Sequence, residues 1–337
     1  GGPAVAEFEE AFAQFCAVGG CVGVANGTEA VMLALMGAGV DGRHTVVVPS
    51  YTFVATAEAV SHLGAKVKLV DCDPDTFNIS VDALREIDDP NVKAVIPVHL
   101  YGQPADMGPI MEIAKEKGWG VVEDCAQAHG ATYDNRPVGG IGDFGAFSFY
   151  PGKNMGAMGD AGAVTGAVGP ELERVRRVSN HGRLGRYEHS EIGVNSRLDA
   201  IQAMALQVKL RHIADWNAAR MKVAQMYRER LRGVEGLTLP VVHERCSHVY
   251  HLFVTLVEDR EGLGQALAAQ NIGYGNHYPI PLHLQPAYAH LGLEKGALPV
   301  SERVASQCIS LPMFPELSEE QIDRVCAVVR DFMQAGG

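Results

Sequence analysis

The chain has 337 residues, with 28 Lys and Arg against 40 Asp and Glu, a formal charge of −12. That acid excess, spread without long blocks of one sign, argues against a surface for nucleic-acid phosphates. With 47% hydrophobic and 20% charged residues, and no apolar run near the roughly 18 residues of a membrane span, it reads as globular with no membrane partner. Its length exceeds what one core usually supports, so two structural domains are expected. Seven cysteines, Cys16, Cys21, Cys72, Cys125, Cys246, Cys308 and Cys326, form no CxxC pair and read as reduced thiols in the cytoplasm.

The opening "GGPAVAEFEEAF" starts an amphipathic helix without an initiator Met or the basic and apolar regions of a signal peptide. A segment is expected to precede it. Next, "ANGTEA" sets a glycine turn before a helix, where backbone N–H groups and the Thr28 hydroxyl could hold a phosphate. Taken alone, Thr28 reads as an ordinary cap. "GAGVDG", Gly37 to Gly42, fits the dinucleotide-binding glycine spacing, but a helix precedes it and a strand follows, so a helix-ending turn is expected.

The strand-like "TVVVPS" is followed by a helix from about Thr52 to Leu63 that carries Phe53 near its start. "KVKLVD", a helix near Val81 to Ile87, "KAVIPVHL", a helix over Met107 to Lys117, "WGVVED" and "FGAFSF" continue the alternation. This order predicts a mostly parallel sheet between helices, with ligands at the carboxyl ends of the strands. From Leu198 to about Arg232 one unbroken long helix is predicted, followed by a smaller α+β unit. The division adopted is 1–212 for the large domain and 213–337 for the connecting helix and small domain.

"FSFYPGKNMGAMGDAGAV" encloses Lys153 in glycine, proline and aromatics, five residues after Ser148. Its "PGKN" lacks the leading glycine and the Ser or Thr of a nucleoside-triphosphate loop. Covalent chemistry through a lysine amine needs a carbonyl cofactor, a phosphate anchor and an acid beside a pyridine nitrogen, which describes pyridoxal phosphate. Asp124, ending the apolar "WGVV" run, is the candidate acid. Gln127 follows three residues later, and Phe53 offers an aromatic face that singly reads as core. The spacing of His248, His251, His277 and His283 matches no zinc arrangement, and no metal is expected.

The ordered set of "PSYTFVAT", "PVHLYGQPADM", "VEDCAQAHGA", "FSFYPGKNMGAMGDAGAV", "NSRLDAIQA" and "HYPIPLHLQPAY" resembles the DegT/DnrJ/EryC1/StrS sugar aminotransferase family over essentially the entire chain. The resemblance implies an α/β, aspartate-aminotransferase-like fold of type I with pyridoxal phosphate as cofactor. It implies Lys153 as the residue bonded to the cofactor, Asp124 at the ring nitrogen, Gln127 at the ring hydroxyl and Phe53 over the ring. Thr28, Glu29 and Ser148 would contact the phosphate, with Asn195 supplied by a second subunit of a homodimer. Arg197, His277 and Tyr278 would grip substrate.

The implied reaction moves an amino group from L-glutamate to a dTDP- or UDP-linked keto-hexose, with carbon 3 favoured over carbon 4. A cyclitol ketone is the alternative acceptor. From another class comes a non-catalytic regulator that retains the cofactor. The start of the chain matches a point inside the family pattern.

Overall fold

A computed structural model describes residues 2–336. Helices α1 (Pro3–Phe15), α2 (Gly27–Gly37), α3 (Ala55–His62), α4 (Val81–Arg85), α5 (Met107–Lys117) and α6 (Pro170–Ser179) alternate with strands. The strands are β1 (Gly20–Val24), β2 (Thr45–Pro49), β3 (Lys66–Val70), β4 (Val92–Val95), β5 (Gly120–Asp124), a two-residue hairpin β6 (Thr132–Tyr133) and β7 (Arg136–Pro137), β8 (Phe144–Ser148) and β9 (Gly162–Gly166). Seven of them form one sheet in the order β1-β9-β8-β5-β4-β2-β3, in which β9 alone runs against its neighbours. The mostly parallel α/β expectation is met.

The reason lies in the strands' composition. β2 is "TVVVP" with every residue buried, and β9 is buried throughout, as strands covered by helices on both faces must be. One apolar cluster fills the face under α1, α5 and α7 (Ala200–Leu210), including Phe8, Phe12, Phe147 and Phe149. A second lies beneath α2, α3 and α6, around Leu33, Val46 and Phe144. The "GAGVDG" stretch falls where α2 ends and a turn leads to β2, as its order predicted.

The long helix is corrected. It is two helices, α7 and α8 (Ile213–Leu231), broken at Arg211 and His212. No proline or glycine breaks it. Instead Arg211 and His212 close i→i−3 hydrogen bonds, at 3.3 and 2.9 Å, and the chain leaves the α-helical ladder. Packing explains the break: α7 lies along α1, whereas the later turns of α8 bury Val223, Ala224, Tyr227 and Leu231 in a separate cluster. A straight rod could not serve both surfaces. That cluster is completed by β10 (Phe253–Leu256), α9 (Arg260–Ala269), β11 (Cys308–Leu311) and α11 (Glu319–Gln334), with β10 and β11 antiparallel, while α10 (Pro299–Gln307) packs Val304 and Ala305 in a further cluster with Tyr51 and Tyr101.

Among the described residues no helix is long and apolar enough to cross a membrane. All seven cysteines are free, six of them buried.

Candidate active site

The site is built at the carboxyl ends of β5 and β8. Asp124 closes β5 and is 6% exposed. Its Oδ2 accepts from the hydroxyl of buried Thr56 at 2.8 Å and its Oδ1 from the Ala126 N–H at 3.1 Å. Two donors on one carboxylate fix its plane. Lys153 lies in the turn after β8, its N–H donating to the Tyr150 carbonyl at 2.9 Å, and is partly buried. Burial lowers the lysine amine's pKa, and the neighbouring Asp124 charge pulls in the opposite direction.

Gln127 joins two parts of the chain. Its side-chain oxygen accepts from the Tyr101 N–H at 2.6 Å, while its amide nitrogen donates to the Tyr278 hydroxyl at 3.0 Å. Tyr278 in turn lies 5.5 Å, centroid to centroid, from Phe53. Phe53 is 51% exposed at the mouth of this group, so the core-aromatic alternative does not hold. His277 donates to or accepts from the Ser310 hydroxyl through Nδ1 at 2.8 Å. Its carbonyl accepts from the Tyr51 hydroxyl at 2.8 Å and also from Tyr101. Burial, then the Lys153 charge, lowers the His277 imidazole. Lys153, Asp124, Gln127, Phe53, His277 and Tyr278 thus form one neighbourhood.

At its edge, the start of α2 closes against the end of β8. A Cβ on Gly27 would lie 2.4 Å from Ser148 Cβ and 2.9 Å from its Oγ, so only glycine leaves this cradle open. Thr28 follows on the first turn, where helix N–H groups lack intrahelical acceptors. The Glu29 N–H differs from expectation. Asn26 caps the helix and its side-chain oxygen takes that donor at 2.8 Å, a preference typical of Asn at this position.

Asn195 and Arg197 stand apart. Both are exposed; Asn195 pairs with Asn180 in an isolated bridge, and Arg197 donates to the Asn180 side chain at 3.0 Å. Among the described residues, no hydrogen bond joins either to Lys153.

Three groups were not anticipated. Glu123, fully buried, accepts from His99 Nε2 at 2.9 Å and from the N–H groups of Gly139, Ile141 and Gly142 at 3.0, 2.8 and 2.8 Å. Burial raises its carboxyl, but the His99 hydrogen bond and charge and these backbone donors outweigh that and hold it below the ordinary range. His99, Glu123 and Cys125 offer ligand atoms within 4.8 Å of one another, yet His99 Nε2 and both Glu123 oxygens are committed to these bonds. His129 is buried with neither ring nitrogen partnered, and burial with the Lys153 charge brings its imidazole down to about 3. Asn154, beside the lysine, is buried in a side-chain network. Only a carboxylate or amide next to a motif residue could have hinted at them.

Comparison with known proteins now bears on the arrangement. Residues 1–330 match the DegT/DnrJ/EryC1/StrS aminotransferase family. The chain is 43% identical over 329 residues to the erythromycin biosynthesis sensory transduction protein EryC1 of Saccharopolyspora erythraea, covering 98% of this chain and 90% of that one. It is 42% identical over 334 residues to dTDP-3-amino-3,4,6-trideoxy-alpha-D-glucose transaminase of Streptomyces venezuelae, covering 99% and 88%. The X-ray structure of S. venezuelae DesV is similar with a TM-score of 0.96 at 42% identity, over 99% of this chain and 90% of that one. The chain therefore belongs to the DegT/DnrJ/EryC1/StrS family and is a pyridoxal phosphate-dependent aminotransferase with the fold-type I architecture.

Proposed function

We propose that this enzyme moves the amino group of L-glutamate onto carbon 3 of a dTDP- or UDP-linked keto-hexose, in amino-sugar biosynthesis in the cytoplasm. The observation that carries the reading is a partly buried lysine amine beside a buried, two-donor carboxylate, with His277 and Tyr278 facing the same space. The choice of carbon 3 is supported by the "LYGQPADM" and "FYPGKN" forms and by the 3-amino product in the name of the S. venezuelae relative.

The residues fit pyridoxal phosphate: the Gly27–Ser148 cradle would be filled by any larger side chain, and Asp124 is an oriented acid. Thr28, Ser148 and the backbone at the start of α2 would hold the phosphate, Asp124 the ring nitrogen's proton, Gln127 the ring hydroxyl, and Phe53 the ring face. When bound, the cofactor supplies an electron-withdrawing ring that accepts the charge left by breaking a Cα–H bond. Lys153 Nζ then acts as base at the donor's α-carbon and as acid at the acceptor carbon. Its lowered pKa favours the neutral amine that the first step needs. His277 and Tyr278 orient the sugar.

A homodimer completes the site in this reading. Ile201, Met204 and Val208 line one side of α7 and are 69%, 59% and 56% exposed, a stripe suited to a second copy. Asn195 and Arg197, remote from Lys153 in their own chain's contacts, would serve the partner's site. The same reading divides the chain at 212/213, supported by the separate apolar cluster of α8, α9 and α11 with β10 and β11.

Purified protein with pyridoxal phosphate should show a visible band that L-glutamate bleaches, and Lys153→Ala should lack a borohydride-reducible lysine adduct. Turnover of dTDP- and UDP-3-keto-hexoses is expected. Activity on inososes alone would transfer the assignment to cyclitols, and full cofactor loading without any turnover would favour a regulator. Met204→Glu should dissociate the dimer in sedimentation; a monomeric, fully active wild type would remove the shared-site arrangement.

A further inference from the structure

The residue after Lys153 is an asparagine that is only 6% exposed. Its amide nitrogen donates twice, to the Val249 carbonyl and to the Asn217 side-chain oxygen, both at 3.0 Å. Its oxygen faces His251 Nδ1 at 3.2 Å. With both amide protons spent, that oxygen is left as an acceptor, so His251 Nδ1 carries the hydrogen and, in the neutral ring, Nε2 carries a lone pair. Among the described residues Nε2 has no hydrogen-bond partner. Asn217, in the second turn of α8, also donates to the His129 carbonyl at 2.7 Å. One buried amide thus ties the lysine turn to α8, to the 249–251 segment and, through Asn217, to the stretch after Asp124.

We propose that Asn154 is a positioning residue for Lys153: it anchors the lysine turn and locks His251 in the Nδ1–H tautomer, leaving its Nε2 lone pair as an open acceptor offered to the Lys153 amine. The inference rests on Lys153 being the reactive amine. The charged surroundings agree. Burial, then Lys153, Arg220, His129 and His277, push His251 well below its ordinary value, keeping it neutral. Lys153 likewise lowers His129 and His277, and only Asp124 raises the lysine. A lone pair toward the amine orients it and steadies its ammonium form; the opposite tautomer would present an N–H to it.

The test compares wild type, Asn154→Ala, His251→Asn and the double variant. Lys153 titration is read in the cofactor-free chain by competitive acetylation and mass spectrometry, and the glutamate half-reaction in the loaded enzyme. His251→Asn keeps a donor for Asn154 but removes the Nε2 acceptor. Each single variant should lower the lysine midpoint by about half a pH unit or more, roughly a threefold change in equilibrium, and slow the half-reaction about tenfold. The double variant should be no worse than the worse single, as expected for residues acting through one contact. Unchanged lysine midpoints in the singles, or fully multiplicative effects, overturn the proposal even if melting temperatures fall. Should Asn154→Ala fail to fold, His251→Asn alone decides. Lys153→Ala separates the two levels: a lysine-type visible band persisting there would remove the underlying reading, whereas its loss there beside unaffected Asn154 and His251 variants would remove only this inference.

Discussion

Replacing Gly27 by alanine should damage cofactor binding more than it damages the fold. The added Cβ would lie 2.4 Å from Ser148 Cβ and 3.1 Å from Ser148 Cα, roughly 1.1–1.6 Å and 0.4–0.9 Å short of the ~3.5–4.0 Å at which carbons rest. Backbone and a short side chain stand in the way, so neither can swing aside as a long side chain would. Overpacking of this kind costs about 1–3 kcal/mol. Alanine's better helix propensity returns at most about 1 kcal/mol, leaving a modest net loss of stability. The larger effect falls on the phosphate. Parting α2 from β8 displaces the Ser148 hydroxyl from the helix start, and a hydrogen bond to a charged group is worth about 1.5–3 kcal/mol, or roughly 10- to 100-fold in affinity. Spectrophotometric titration of the cofactor-free protein, paired with thermal melting, measures both. Ser148→Ala is the companion, removing the hydroxyl without the clash, and should weaken the cofactor while leaving the melting temperature near wild type. A Gly27→Ala protein that binds the cofactor within twofold of wild type would refute the cradle.

Asp124→Asn should fold and still take up the cofactor while losing on the order of 100- to 1000-fold in kcat, because a fixed charge at the ring nitrogen is gone; stopped-flow rates near wild type would contradict its role. Glu123→Gln should destabilise by about 1–3 kcal/mol, since a buried carboxylate that accepts from the neutral His99 ring and three backbone N–H groups is replaced by an amide with one acceptor oxygen, as urea unfolding would report. Its folded pKa is depressed, so the stabilisation is full above the ordinary glutamate range and is lost as pH falls through the lowered value. The wild-type minus Glu123→Gln difference should therefore shrink in acid, and a difference constant with pH would argue against the pairing. Tyr278→Phe removes the acceptor of the Gln127 amide and should raise KM for the keto sugar about tenfold, at the low end of the cost of an unsatisfied buried donor. Steady-state kinetics with KM unchanged would detach Tyr278 from the acceptor.

How much was legible depended on how local the cause is. The strands around β5 and β8 were readable because burial on both faces demands unbroken apolar runs, and the lysine turn stood out because glycine and aromatics flank a charge. The order of motifs carried Asp124, Gln127, Ser148 and Lys153 into view, since Asp124 and Ser148 end strands whose type their neighbours declare and Gln127 and Lys153 follow in the turns beyond them. The break at Arg211 and His212 was hidden because its cause is the direction of two different packing surfaces, and the intervening residues are ordinary helix formers. Asn154, Asn217 and His129 were equally silent, because an amide's role is set by partners 63 and 95 positions away. Asn26 illustrates the middle ground: its capping of Glu29 is local, yet the phosphate reading of the same turn drew attention past it.

The reversed strand β9 has a consequence for how this enzyme could be altered. Because β9 runs back beside β8, with Ser148 opposite Gly162, residues 149–161 leave and re-enter the sheet at the same end. A parallel return would have required a crossover of a dozen or more residues over one face. Lys153, the proposed reactive amine, thus sits on a closed loop whose two stems are zipped together, much like a cartridge in a holder. Such a unit can be exchanged between relatives without rerouting the chain, provided the exchanged piece keeps Asn154's contacts to Val249, Asn217 and His251 at its base. Grafting that loop with and without its asparagine would show whether the cartridge carries its chemistry with it or borrows it from the socket.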